Sequence, residues 1–318
     1  MDYVNLGESG LKVSRLCLGT MMFGGPTDEG ESIRIIHRAI DEGINFIDTA
    51  NVYSAGESER VVGKALSDRR GEAVLVTKVC GAMGDGPNDS GTSRYHILAE
   101  VENSLRRLDT DHIDLYLIHR TDPGTPIQET LKALDLLVRQ GKVRYVGCSN
   151  FAGWQIAVAR GVAAYRGYSP FIVSQSHYNL FERSLETEIA PCCAEHGMSL
   201  VAYFPLAQGV LTGKYRRGKE IPPNTRGWEN PEPGFSRHMT DVHLAAVELL
   251  DAWASDHGHL VSELAIAWVA AQPLVCSVLT GVTSIDQLEA NASATDWKLT
   301  KDEVREIENL VGGVARLS

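Results

Sequence analysis

The heptapeptide Ala-Val-Leu-Val-Thr-Lys-Val at residues 73–79 decides the fold. It is short, aliphatic and β-branched, and its last residues include one lysine, the pattern of a strand with a polar end. Seven further runs have the same character: VSRLCLG (13–19), NFIDTA (45–50), IDLYLIH (113–119), VRYVGCSN (143–150), FIVSQS (171–176), MSLVAYFP (198–205) and CSVLTG (276–281). Between them the apolar residues recur with helical spacing. Ile33, Ile36, His37 and Ile40 form one stripe; Leu98, Val101, Leu105 and Leu108 a second; Ile127, Leu131, Leu134 and Val138 a third. Thr125-Pro126-Ile127-Gln128 reads as a capping box, as do Ser284 to Gln287 and Thr300 to Glu303.

Strands that alternate with helices and lack long linkers predict a parallel sheet. Eight such units in 318 residues predict closure into an α/β barrel of the (β/α)8 TIM type, one domain over residues 1–318. An open doubly wound sheet would show G-x-G-x-x-G after its first strand, whereas this chain has G-T-M-M-F-G-G. Residues 207–240 are the one long irregular stretch, with Pro222, Pro223, Pro231 and Pro233, and form a long loop after strand seven. Residues 300–318 read as a terminal helix and tail.

The charge is −11, which argues against a nucleic-acid or anionic-membrane surface. The six cysteines contain no C-x-x-C pair, so zinc-ribbon and thioredoxin chemistry do not fit. Residues 1–10 carry neither a basic nor an apolar targeting segment, and no apolar run approaches the ~18 residues that span a bilayer. The expectation is a soluble, cytoplasmic protein.

Barrel enzymes do their chemistry at the C-terminal ends of the strands. Here strand two ends in Asp48, strand three in Lys78 and strand four in His119, with Tyr53 in the loop after Asp48. Strand five ends in Ser149 and Asn150, strand six in Gln175, and strand seven carries Tyr203. A lone strand-end aspartate is most often a turn former. Asp, Lys and His converging from three neighbouring strands is an improbable stability motif, because buried charges need partners. A lysine beside a tyrosine favours the phenolate, an aspartate keeps the lysine charged, and a neutral histidine orients a substrate oxygen. Such a set can protonate a carbonyl oxygen as hydride reaches its carbon. No nucleophile–base pair and no cluster typical of metal ligands competes with it.

On GINFIDTANVY (43–53), VLVTKV (74–79), IDLYLIHR (113–120), VRYVGCSNF (143–151), SQSHYNL (174–180), AYFPLAQGVLTGKY (202–215) and GVTSIDQLEAN (281–291), the chain resembles the aldo-keto reductase superfamily over nearly its whole length. The resemblance implies a barrel that reduces aldehydes and ketones with NADPH, without metal or flavin. It implies Tyr53 as general acid, Lys78 and Asp48 as the pair that tunes it, and His119 as the residue that orients the carbonyl. It assigns the nicotinamide carboxamide to Ser149, Asn150 and Gln175, the ring stack to Tyr203, and the pyrophosphate belt to Leu206, Gln208, Gly209 and Lys214. Phe204 and Pro205 lie in the same segment. Gly19, Thr20 and Met21 lie where the first loop touches the cofactor. By loop position alone, Met22, Phe23, Arg120, His177, Tyr178, Trp228 and Phe235 are candidates for the substrate pocket, beside Tyr53 and His119.

Some positions depart from that pattern. Phe204 stands where a serine is usual. Gly281-Val282-Thr283-Ser284 offers hydroxyls and helix N–H groups but no cation, and Ala290 replaces a glutamate, while Gln287 and Asn291 keep the pattern. The implied cofactor is therefore NADP(H) by preference, with NAD(H) possible, and Arg216, Arg217 or Arg226 could bring the missing cation. The alternative function is a slow NADP(H)-binding regulatory protein like the potassium-channel β-subunits. A Schiff-base aldolase using Lys78 is disfavoured by the cofactor segments after strands five to eight.

Overall fold

The computed structural model describes residues 1–223, 225–229 and 233–315, with backbone alone at 226, 229, 233–234 and 313–315. The chain begins with an antiparallel hairpin, β1 (Tyr3–Asn5) and β2 (Lys12–Ser14). The alternation follows as β3 (Leu16–Gly19), α1 (Glu29–Asp41), β4 (Phe46–Asp48), α2 (Glu57–Leu66), β5 (Val74–Val79), α3 (Arg94–Leu108), β6 (Ile113–Ile118), α4 (Ile127–Arg139), β7 (Val143–Ser149), α5 (Gly153–Arg166), β8 (Phe171–His177), α6 (Ile189–Glu195) and β9 (Ser199–Tyr203). After the long connection come α7 (Arg226–Glu229), α8 (Pro233–His238), α9 (Asp241–Asp256), α10 (Val261–Ala270), β10 (Val275–Gly281), α11 (Ile285–Ala294) and α12 (Lys301–Ala315). Strands β3 to β10 are parallel in sequence order, and β10 closes on β3. This is the (β/α)8 barrel expected from the sequence.

A strand has a side-chain period of two, so each barrel strand feeds two cores. Cys17, Phe46, Val76, Leu115, Leu117, Val173 and Val201 fill the lumen. The alternate residues, among them Leu16, Leu18, Ile47, Leu75, Tyr116, Ile118 and Val146, pack against the helices. Leu6 and Val13 of the hairpin, both fully buried, join the lumen cluster and plug its N-terminal end.

Four local readings need correction. The run 13–19 is not one strand: the chain turns at Arg15, whose guanidinium donates to the carbonyls of Val275 (2.7 Å) and Ala270, so Val13 and Ser14 belong to the hairpin. Thr125 forms no capping box, because its hydroxyl donates to Asp122 at 2.7 Å and α4 starts on Pro126 without a side-chain cap. Thr300 and Glu303 do cap reciprocally; Ser284 caps α11 by accepting from the Gln287 amide at 3.3 Å, but the Gln287 side chain accepts from Thr283 and not from the Ser284 N–H. Residues 207–240 are not structureless either. They hold a 3-10 turn (Ala207–Thr212), α7 and α8, and bury Tyr215 against Phe235 with ring centroids 5.1 Å apart.

Candidate active site

The lumen rows explain the convergence. Going toward the C-terminal end, Phe46 is followed two residues on by Asp48, Val76 by Lys78, Leu117 by His119, Val173 by Gln175 and Val201 by Tyr203. The last inward position of these five strands is thus polar, and the apolar rows beneath make the floor. Lys78 and Asp48 are both essentially inaccessible, with Nζ 2.5 Å from Asp48 Oδ1. The ammonium makes its other two bonds to the Thr49 carbonyl (2.9 Å) and the Tyr53 hydroxyl oxygen (3.3 Å). All three of its protons are used, as a buried ammonium requires. Gln175 donates from Nε2 to the second oxygen of Asp48 at 2.8 Å. The His119 ring stands edge-on to Tyr53, centroids 5.8 Å apart.

Tyr53 is carried by the short chain between β4 and α2. After it, Ser54, Ala55 and Gly56 all have left-handed φ (48°, 54° and 95°). For the two non-glycine residues this strain costs on the order of 1–3 kcal/mol each, and it persists only where the surroundings impose it. The Ser54 hydroxyl donates to the Phe23 carbonyl at 3.1 Å, and a Cβ on Gly24 would meet the Glu57 backbone at 3.0 Å, so the glycine lets the two loops touch.

Burial is the largest influence on each titratable group. It raises Tyr53 above its ordinary value, and Lys78 opposes this without overcoming it. Burial alone would lower Lys78, but the Asp48 carboxylate and Tyr53 outweigh it and hold the ammonium charged. Asp48 is pushed up by burial, against the pull of Lys78 and Gln175. Burial, then the charges of Lys78 and Arg120, pushes His119 down to about 3, so its ring is neutral at physiological pH. A neutral imidazole beside a tyrosine held at a lysine is a hydrogen-bond donor next to a proton donor, which suits polarising a carbonyl oxygen.

The cofactor positions divide. Gln175 and Ser149 are buried at the lumen top. Asn150, at a left-handed φ of 58°, donates to the His119 carbonyl (2.9 Å) and accepts from the Tyr203 hydroxyl (2.7 Å). Tyr203 itself stacks with His177, centroids 5.2 Å apart. Gly19 and Gly281 pair across β3 and β10 and leave that rim bare; a Cβ on Gly19 would strike Leu279 at 2.7 Å. Phe204, Gln208 and Gly209 take left-handed φ values in a tight turn that also holds Pro205 and Leu206. The Lys214 ammonium has no carboxylate partner among the described residues and lies 5.3 Å from the Tyr215 ring centroid. Met21 and Met22 are half-buried. Thr283 is exposed and hydrogen-bonded to Gln287 at 3.0 Å, and Asn291 is buried on α11.

Other expectations are corrected. The Thr20 side chain is fully buried, bonded to the Asp48 carbonyl and beside Ser58, and its amide and carbonyl are hydrogen-bonded within the protein as well. Phe23 is a core residue, as are Phe235 and Tyr178, the last with its hydroxyl on Glu186 at 2.7 Å. Arg216 pairs with Asp251 at 2.7 Å and Arg217 with Glu248 at 2.5 Å, which removes both as free cations. The Arg226 side chain lies outside the described residues. Arg120 and Trp228 are exposed. The third Lys78 contact, through the Thr49 carbonyl, had no signal in the sequence, because a main-chain oxygen carries no residue type. Among the described residues no group of three His, Cys, Asp or Glu side chains could hold a metal ion, and no helix is long and apolar enough to cross a membrane.

The fold and the set at its mouth define an α/β barrel in which a tyrosine faces a buried lysine–aspartate pair. The Aldo/keto reductase family model matches residues 15–311, and the chain belongs to that family. It is 38% identical to an uncharacterized oxidoreductase, YrpG, of Bacillus subtilis, over 98% of this chain and 97% of that protein. It is 41% identical to a probable voltage-gated potassium channel subunit beta of Arabidopsis thaliana (93% and 92% covered). It is 36% identical to the aldo-keto reductase YhdN of Bacillus subtilis (98% and 94% covered). Membership and the oxidoreductase relatives support a carbonyl-reductase type of activity.

Proposed function

We propose that the chain reduces an aldehyde or ketone to an alcohol with a nicotinamide dinucleotide, NADP(H) by preference, and that Tyr53 supplies the proton. The observation that carries this reading is the Lys78 ammonium, held by Asp48 and in contact with the Tyr53 hydroxyl at the mouth of the barrel. The residues present suit the cofactor: an ammonium at Lys214, without a carboxylate partner among the described residues, for the pyrophosphate, a glycine rim at 19 and 281, the Tyr203 ring, and the Gln175 amide. When bound, the reduced nicotinamide supplies hydride to the carbonyl carbon.

This chain's residues do the rest. The neutral His119 donates a hydrogen bond to the carbonyl oxygen and fixes its direction. The Tyr53 hydroxyl gives its proton to that oxygen as negative charge develops there. Lys78 stabilises the phenolate that remains, and Asp48 keeps the ammonium charged and aimed. Burial, which makes the free phenolate costly, makes the tyrosine a proton donor at rest.

A screen of NADPH consumption over aldehydes, keto-sugars and cyclic ketones tests the activity. Against any substrate found, Tyr53→Phe is expected to lower kcat by on the order of 10²-fold or more while cofactor affinity is kept. Full activity in that variant would overturn the acid assignment. The similarity to a probable channel β-subunit supports a second reading, a slow nicotinamide-binding regulator. Tight NADPH binding without steady-state turnover of any carbonyl in the screen would favour it.

A further inference from the structure

We infer that Ser58 is a positioning residue for the Tyr53 hydroxyl: its buried hydroxyl clamps the strained turn that carries Tyr53 over Lys78. Ser58 is the second residue of α2, fully inaccessible, and its side-chain partners are Thr20 and Thr49 rather than Asp48, Tyr53, Lys78 or His119. It donates to the Thr20 carbonyl at 2.8 Å, and its oxygen lies 2.9 Å from Thr49 Oγ1 and 2.8 Å from Thr20 Oγ1. Thr20 in turn bonds to the Asp48 carbonyl through both its amide and its hydroxyl, each at 3.0 Å. Three hydroxyls therefore join the ends of β3 and β4 to the first turn of α2.

Tyr53 lies between those joined ends. The strain of Ser54 and Ala55 pulls toward a different loop path, and such strain survives only where the surroundings over-determine it. The Ser58 hub fixes the exit of the turn, and Thr49 fixes its entry. Thr49 does two things at once: its hydroxyl meets Ser58, and its carbonyl takes a proton of the Lys78 ammonium. The hub thus ties the path of the Tyr53 loop to the position of the lysine that Tyr53 must face. A bland filler at position 58 would need none of these bonds, and a buried hydroxyl within reach of three oxygens is costly to leave unmatched.

This inference rests on the reading of Tyr53 as the acid. The test uses Ser58→Ala and Thr49→Val, the second removing a hydroxyl at nearly constant volume. Four quantities are measured in each: kcat and KM across pH, NADPH affinity, melting temperature, and the titration of Tyr53 by NMR of ring-labelled tyrosine, assigned by its loss in Tyr53→Phe. Ser58→Ala is expected to lower kcat by on the order of 10-fold with KM and NADPH affinity unchanged, because a small misplacement of a reacting group is costly. The Tyr53 titration moves upward, since the ammonium that favours the phenolate is then farther away. Thr49→Val acts in the same direction, and the double variant loses less than the product of the two. A lower melting temperature with unchanged kcat and unchanged Tyr53 titration would reduce Ser58 to packing and overturn the inference. If Ser58→Ala does not fold, Thr49→Val decides by the same criteria. If no carbonyl is turned over by the unaltered protein, the reductase reading falls, and the NMR titration still decides whether Ser58 positions Tyr53.

Discussion

His119 shows how burial sets chemistry at a single residue. Pushed down to about 3, its ring stays neutral through the pH range in which a free histidine titrates. The sign of its effect on stability follows. Between the ordinary value near 6.5 and about 3, the unfolded chain binds a proton that the folded chain refuses, so stability falls as pH drops through that window. Replacing His119 by Asn is expected to flatten the dependence of the melting temperature on pH between about 6.5 and 3. His238, pushed down to about 4 mainly by burial, keeps part of the slope in the variant. An unchanged slope would mean that His119 is accessible to protons in the folded protein. Sequence reading reached Asp48, Lys78 and His119 because each stands at the end of an apolar run, and Tyr53 because it follows Asp48 in the next loop. It missed the Thr49 carbonyl and the Ser58 hydroxyl, whose roles depend on a loop path that no local pattern encodes.

At the scale of elements, α2 and α3 are tied by charge as well as by packing. Glu59 on α2 is fully buried, accepts from Thr77 on β5 at 2.6 Å, and pairs with Arg107 of α3 at 2.5 Å. Arg107 also pairs with Glu100 about two turns away on its own helix. Removing the guanidinium leaves two buried carboxylates without their counter-ion, and loss of one partner of a buried pair typically costs about 3–5 kcal/mol. Arg107→Met is therefore expected to lower the urea midpoint by a correspondingly large amount. A change within the range of an ordinary surface substitution would show that the cluster is hydrated. The sequence signalled the stripe of α3 through its apolar side, Val101, Leu105 and Leu108. Nothing in the sequence marks Glu59, Glu100 and Arg107 as one buried cluster, because charge type alone does not say which helix lies opposite.

At the scale of the whole molecule, the connection after β9 is locked to other parts of the fold. Arg216 and Arg217 reach α9, and Arg237 of α8 reaches Glu182 after β8 at 2.9 Å. Of the arginines that the sequence offered for a 2′-phosphate, Arg216 and Arg217 are thus engaged and the Arg226 side chain lies outside the described residues, so among the described candidates there remain Lys214 and the N-terminus of α11, which can itself attract an anion. The proposed preference for NADPH over NADH is thus expected to be present but small, read as the ratio of kcat/KM for the two on one substrate. Equal values would overturn it, and an overwhelming ratio would mean that a paired arginine is released when the cofactor binds.

The sequence by itself determined the barrel and the level at which its chemistry sits. Period-two strands feed two cores, and a polar residue at the last inward place of a strand can only sit at the mouth. It determined the helices wherever an apolar stripe was complete. Only the tertiary structure decided that Arg15 ends the hairpin before β3, that Thr125 serves Asp122 rather than a helix cap, and that Phe23 packs inward. It also decided that burial, not the neighbouring ammonium, dominates Tyr53. The physical reason is common to all four. Each depends on which distant group lies opposite, a question of closure and contact that residue type and spacing do not answer.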